Sequence, residues 1–176
     1  MILETERLVL REYVQEDYPA LYALLSDPET MRYYPKPYDE AGTQRWLDWS
    51  FENYRLYGFG LWAVVRKDTG EWIGDCGITL QKIDGETLPE VGYHIRKDCW
   101  RQGYAKEAAR AVRDWAFTHT DYPCLYSYMN AENEPSRATA RANGMHLQSE
   151  YTDLHYGPMS VYALTREEWE AIRSNG

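Results

Sequence analysis

The sequence predicts an α+β domain built on a mixed, mostly antiparallel sheet flanked by helices. Three observations carry that expectation. Two helix-like segments precede a block of consecutive strands. A hairpin signal, Asp68-Thr69-Gly70, lies inside that block. One strand–helix–strand passage then follows, and this connection makes a parallel pair near the middle of a sheet.

The elements follow in order. Arg7 to Tyr13, "RLVLREY", alternates as a first strand. "EDYPALYALLS" places Leu21, Leu24 and Leu25 at helical spacing. "SDPETMRYYPKPY" is a proline-broken loop, and "DEAGTQRWLDWSFENYRLYG" is a second helix with Gly58 near its end. "GLWAVVRKDTGEWIGDCGITLQKIDG" supplies two strands and "LPEVGYHIRK" a third. The next helix starts at Gly103 or Tyr104. It buries Ala105, Ala108, Ala109, Val112, Trp115 and Ala116, and its other side carries Lys106, Glu107, Arg110, Arg113 and Asp114. "PCLYSYMN" is a strand, and "NEPSRATARANGM" a short helix stopped by Asn143-Gly144. The chain then ends as two strands joined around Thr152 to Leu154. The predicted order is β-α-α-β-β-β-α-β-α-β-β, a single domain over residues 1–176 with no repeat or linker.

Composition narrows the function. The net charge of −9 argues against a general nucleic-acid binder and is compatible with a cationic substrate such as an amine. The three cysteines are an odd number without a CxxC pair, so neither a disulfide framework nor a zinc site is implied, and the four histidines lack metal-ligand spacing. The N-terminus is charged throughout, unlike a signal peptide, and no apolar run is long enough to cross a membrane; a cytoplasmic location is expected. Tyr34, Tyr54 and Tyr57 are candidates for lining a pocket or for ordinary packing. Gly58 to Ala63 matches GxGxxA, but a helix precedes it and a strand follows, the reverse of what a dinucleotide fingerprint requires.

The mouth of the alanine-faced helix is unusual. None of Arg101, Gln102 or Gly103 is a strong N-cap, so the first helical N–H groups lack an evident acceptor. Arg96, Lys97, Arg101 and Lys106 crowd the positive end of the helix dipole, with Asp98 alone opposing them. An external phosphate would satisfy both the N–H groups and the cations; a water-capped helix beside a solvated charge run is the alternative.

At these residues the sequence resembles the GNAT acyl-CoA N-acyltransferases. The family carries a Q/R-x-x-G-x-G/A signature at this helix mouth, and its RimJ/RimL branch, which acetylates ribosomal-protein N-termini, shows E-I-G-Y-x-I followed by W-G-x-G-Y-A-x-E-A. Here the chain reads Glu90 to Ile95, "EVGYHI", then Trp100 to Ala108, "WRQGYAKEA", with Asn133-Glu134-Pro135-Ser136 and Gly144-Met145 downstream. Arg101 stands where glycine is common, Met145 where phenylalanine is usual, and Ala140 where many members keep a tyrosine acid. The resemblance spans essentially the whole chain. It implies the GNAT fold, acetyl-CoA as cosubstrate, and transfer of the acetyl group to an amine by direct attack in a ternary complex.

On that resemblance, Ile95, Arg96, Arg101, Gln102, Gly103, Tyr104, Ala105, Lys106, Asn133 and Ser136 would hold acetyl-CoA, with a backbone N–H near Ile95 polarising the thioester carbonyl. Glu90 is the candidate base, its alternative a structural hydrogen bonder; it shares a strand face with Gly92 and His94. His94 is the weaker rival, read as a surface histidine. Ser136 could protonate the departing thiolate or only start its helix, and Asn133 could bind pantetheine or cap the same helix. Tyr33, Tyr34 and Tyr156 are assigned to the acceptor pocket. The acceptor is a protein N-terminus or a small-molecule amine such as an antibiotic, polyamine or amino acid. A non-catalytic acyl-CoA-binding module is the alternative. The sequence leaves monomer and homodimer open.

Overall fold

The computed structural model describes residues 1–176 as one eight-stranded sheet with five helices. The strands are β1 (Leu3–Glu4), β2 (Leu8–Arg11), β3 (Leu61–Arg66), β4 (Trp72–Ile83), β5 (Glu86–Ile95), β6 (Cys124–Asn130), β7 (His146–Asp153) and β8 (Gly157–Thr165). The helices are α1 (Tyr18–Leu25), α2 (Glu40–Tyr57), α3 (Tyr104–His119), α4 (Glu134–Ala142) and α5 (Arg166–Ser174). The sheet runs β1-β2-β3-β4-β5-β6-β8-β7, and every neighbouring pair is antiparallel except β5 and β6.

That exception organises the molecule. β4 and β5 are paired along ten positions, from Gly74 opposite Ile95 to Ile83 opposite Glu86. β5 and β6 meet at one, Glu90 opposite Tyr126. Beyond it the two strands diverge. The side chain of Ser127 donates to the Val91 carbonyl at 2.7 Å. Alternate residues of a strand turn their polar groups to the same side, so Val91, Tyr93 and Ile95 direct theirs toward β6 and the opening. Arg96, on the other alternation, donates its N–H to Ile73 on β4.

The predicted fold holds, with two elements added. β1 is a two-residue edge strand, too short to register as a pattern. The chain does not end in a strand: Thr165 accepts a hydrogen bond from Glu168 N–H, and α5 follows, burying Trp169. The reversal between β7 and β8 spans Leu154 to Tyr156, after Asp153 has accepted bonds from the N–H groups of His155 and Tyr156.

The largest apolar cluster lies between the sheet and α3. Ala108, Ala109, Val112 and Ala116 are fully buried against β2, β3, β4, β5 and β8. Their short side chains let the helix axis lie close to the strands. Arg113, expected on the solvent side, is buried instead; it donates to the Asn143 carbonyl at 2.8 Å and ties α3 to the end of α4. A second cluster, built from α1, α2 and neighbouring strand residues, covers the other sheet face around Leu21, Leu25, Met31 and Leu47. Tyr54 belongs to this packing rather than to a pocket: its hydroxyl bonds Leu61 and Tyr13.

Candidate active site

The divergence of β5 from β6 opens a cleft of about 1530 Å³ between the N-termini of α3 and α4 on one side and the α1–α2 loop with α2 on the other. Glu90, His94, Tyr93, Ser136, Tyr34 and Tyr156 all line it.

At the α3 end, the chain turns through two left-handed residues, Arg101 at φ 62° and Gly103 at φ 81°. Only the second is free of a Cβ penalty. Gly103 is the N-cap and offers no side-chain acceptor, and the first helical bond runs from Glu107 N–H to the Gly103 carbonyl. The N–H groups of Tyr104, Ala105 and Lys106 therefore have no partner in the chain. Arg101 and Lys106 line the cleft and form no ion pair.

The other expected cations are engaged elsewhere. Arg96 pairs with Asp98 at 2.6 Å, and Lys97 with Asp27 at 3.1 Å and Glu29 at 3.5 Å. Neither Arg96 nor Gln102 lines the cleft; the Gln102 amide reaches the Asp98 carbonyl at 3.3 Å. Arg7, which local sequence did not point to, donates to the Gln102 carbonyl at 2.9 Å, pairs with Glu107 at 2.7 Å and covers the Tyr104 ring. Burial pushes the Glu107 carboxyl up, but bonds from Thr5 and Arg7 outweigh it and hold the group below its ordinary range. Glu107 thus pins the β1–β2 turn to the first turn of α3.

In the middle, Glu90 faces the opening with Gly92 and His94. Enclosure by the cleft walls strips water from it and pushes its carboxyl up to about 8, against a weak opposing bond from Tyr128 N–H at 3.4 Å. A carboxyl in that range exchanges protons near neutral pH. On the opposite face of β5, Tyr93 bonds both the carbonyl and the hydroxyl of Ser136, at 2.9 and 3.1 Å. Asn133 accepts from Ser136 N–H at 3.2 Å, so it caps α4. Ala140 is buried in the core, leaving Tyr93 to bring a phenol to α4 from the sheet. Strand alternation puts Tyr93 on the face opposite Glu90, and only the placement of α4 against that face makes the contact.

At the outer end, Tyr34, Tyr33 and Tyr156 stand together with Arg32 and Glu132. Tyr33 donates to the Glu132 carbonyl at 3.3 Å, and Tyr34 meets Tyr156 edge to face at 6.1 Å. Tyr57 is exposed and stacks on Phe59, away from the cleft. His94 is not a surface residue: its ring lies between Asp75 and Tyr34, and Trp46 meets it edge-on at 5.2 Å. Gly74 makes this possible, since a Cβ there would sit 1.9 Å from the His94 carbonyl. Asp75, beside it on β4, could not otherwise approach His94 so closely.

A family model described as an acetyltransferase (GNAT) domain matches residues 7–146. The chain is 37% identical over 145 residues to a Bacillus subtilis protein described as uncharacterized protein YkkB, covering 82% of this chain and 84% of that one. It is 32% identical over 137 residues to p20 of Bacillus licheniformis, described as an uncharacterized N-acetyltransferase, covering 76% of each. The crystal structure of an acetyltransferase from Agrobacterium tumefaciens shares the fold with a TM-score of 0.80 at 32% identity, covering 92% of both chains.

Proposed function

The chain belongs to the GNAT acetyltransferase family and is an acetyl-CoA-dependent N-acetyltransferase, and from that premise we propose that it transfers the acetyl group to a primary amine by direct attack in the cleft between β5 and β6. The observation that carries this reading is the conjunction, in one cleft, of uncapped α3 N–H groups, a β5 edge that β6 pairs at one position, and a half-buried carboxyl raised to about 8.

The pyrophosphate of acetyl-CoA accepts from the N–H groups of Tyr104, Ala105 and Lys106, with Arg101 and Lys106 balancing its charge. The pantetheine amides pair with the open edge of β5, as an added strand would. The N–H of Ile95 lies on that edge and polarises the thioester carbonyl. Glu90 accepts a proton from the attacking nitrogen, directly or through one water. As the nitrogen–carbon bond forms the carbon–sulfur bond breaks, and the Tyr93–Ser136 pair donates a proton to the thiolate. Asn133 acts by capping α4 and so fixing Ser136. Tyr33, Tyr34 and Tyr156 receive the acceptor.

The acceptor class is a primary amine. A protein N-terminus is what the RimJ/RimL resemblance implies, and the aromatic outer cleft suits a peptide end or a small cationic amine alike. The test is calorimetric titration of acetyl-CoA into the protein. A thiol-release assay over an alanine-led peptide, spermidine, an aminoglycoside and free amino acids accompanies it. Micromolar acetyl-CoA binding with thiol release dependent on one of these amines supports the reading. Folded protein that binds no acetyl-CoA refutes it.

A further inference from the structure

Asp75, His94 and Tyr34 form a continuous chain of hydrogen bonds that the mechanism above leaves unused. Asp75 is fully buried on β4. Its Oδ1 lies 2.9 Å from His94 Nδ1 on the adjoining strand, and its Oδ2 accepts from the Tyr13 hydroxyl at 2.8 Å. His94 Nε2 lies 2.6 Å from the Tyr34 hydroxyl, which comes from the α1–α2 loop. Asp75 and His94 are register partners, so both side chains leave the sheet on the same face and meet without strain. The chain begins in the core and ends at the cleft, where Tyr34 stands against Tyr156.

Donors and acceptors assign the protons. With Asp75 accepting at both oxygens, from Tyr13 and from the imidazole, His94 donates from Nδ1. A neutral imidazole then offers a lone pair at Nε2, and Tyr34 donates to it. The Tyr34 oxygen keeps its lone pairs for a donor arriving in the cleft, and a substrate ammonium is such a donor.

We propose that Asp75–His94–Tyr34 is a proton relay that takes the first proton from the acceptor's ammonium, leaving Glu90 to take the second as the amide forms. The proposal rests on amine acetylation in this cleft, the reading given above. The ammonium gives a proton to the Tyr34 oxygen while the Tyr34 proton moves to His94 Nε2. The tyrosine is restored, His94 becomes imidazolium against Asp75, and the amine is neutral. Attack then forms the nitrogen–carbon bond and breaks the carbon–sulfur bond, and the nitrogen loses its second proton to Glu90. The proton on Glu90 returns through water to the Tyr93–Ser136 pair, which has protonated the thiolate, and the other reaches solvent from His94.

Two acceptors answer a difficulty that one leaves. An ammonium sheds two protons on its way to an amide, and the Glu90 carboxylate holds only one of them. The groups facing the relay are Tyr13 from the β2–α1 loop, Asp75 from β4, Trp46 from α2 and Glu90 from β5. Tyr38, Tyr128 and Tyr156 surround the Tyr34 hydroxyl end. Lys97, three residues along, is held by Asp27 and Glu29. Tyr34 touches the substrate; His94 and Asp75 act through it.

The test uses the full chain labelled with ¹⁵N-histidine and saturated with coenzyme A, the His94 signals being assigned by their loss in His94→Gln. The relay requires a ring protonated at Nδ1 and bare at Nε2 at pH 7.5. It also requires a change in the Nε2 signal in Tyr34→Phe. In parallel, kcat/KM is followed against pH with the most active amine of the panel named above. His94→Gln keeps a hydrogen-bonding side chain but cannot titrate there. It and Tyr34→Phe should each lose about 100-fold and drop one limb of the profile, with acetyl-CoA affinity unchanged. A ring protonated at Nε2, or variants that keep the wild-type pH profile, overturns the proposal and leaves the chain as a tie between loop and sheet. If no amine of the panel releases thiol, the acetylation reading fails first, and the tautomer still judges the relay.

Discussion

The two ends of the cleft are built on different principles. The α3 end is mostly backbone: three uncapped N–H groups, a left-handed glycine and two unpaired cations, all within residues 101–106. The outer end is side chains from separate parts of the chain: Tyr13, Tyr34, Trp46, Asp75, His94 and Tyr156. On the proposed reading the α3 end takes a pyrophosphate, which is the same in every acetyl-CoA, so a short, self-contained motif suffices there. An acceptor differs from enzyme to enzyme, and its site can be rebuilt by changing loops without disturbing the donor end.

The largest expected effect comes from Glu90, between the two ends. Glu90→Gln should lower kcat/KM by about 100- to 10,000-fold while acetyl-CoA binds as before, measured by thiol release and calorimetry. Wild-type activity should rise as pH passes through about 8, because the ionised form is the base. Stability should move the other way. A carboxyl whose folded pKa is raised holds its proton when the unfolded chain has already released it, so stability falls as pH rises from about 4.5 to about 8. The glutamine variant should therefore melt at a higher temperature than wild type at pH 9, and the gap should vanish at pH 4. A gap that persists at pH 4 would contradict the burial argument.

Next in size is the brace behind the α3 end. Glu107→Ala frees Arg7 and Thr5 and should cost about 2 kcal/mol by urea denaturation, the order expected for charge-assisted bonds. Because the Glu107 carboxyl is held below its ordinary range, its contribution is present at neutral pH. It is lost as pH falls through the folded value, the opposite sense to Glu90. Equal acetyl-CoA affinity in this variant would separate the brace from the binding motif.

A smaller change should follow at the mouth itself. Arg101→Glu reverses one of the two free cations and should weaken acetyl-CoA about tenfold, with a shallower salt dependence, and should leave the KM for the amine unaltered. If the amine KM rose equally, the two ends would not be separable. Gly103→Val should cost about 1–2 kcal/mol of stability through its positive φ, and should also reduce acetyl-CoA affinity by crowding the backbone.

The expectations that held were those carried by neighbours in sequence. Strand alternation placed Glu90, Gly92 and His94 together, and the alanine stripe of α3 identified the buried face. The mouth of that helix was legible because a missing cap is a local fact. The additions and reversals came from pairings across the chain. Arg96 and Lys97 counted as cations at the mouth until Asp98 and Asp27 neutralised them. Arg113 passed for a solvent residue until the Asn143 carbonyl, thirty residues on, gave its buried guanidinium an acceptor. Arg7 entered the site from nearly a hundred residues away.

The sequence by itself determined the order of the elements, the helix that must lie close to the sheet, and a helix start without a capping side chain. These follow from periodicity, capping and glycine geometry, which act over a few residues. Only the tertiary structure decided that β5 and β6 part after one shared position, that Tyr93 reaches Ser136, and that Asp75 and His94 lead from the core to Tyr34. Each depends on which strands become neighbours and on which side chains are thereby shielded from water. A hydrogen bond gains its directing force from that shielding, and no local pattern announces it.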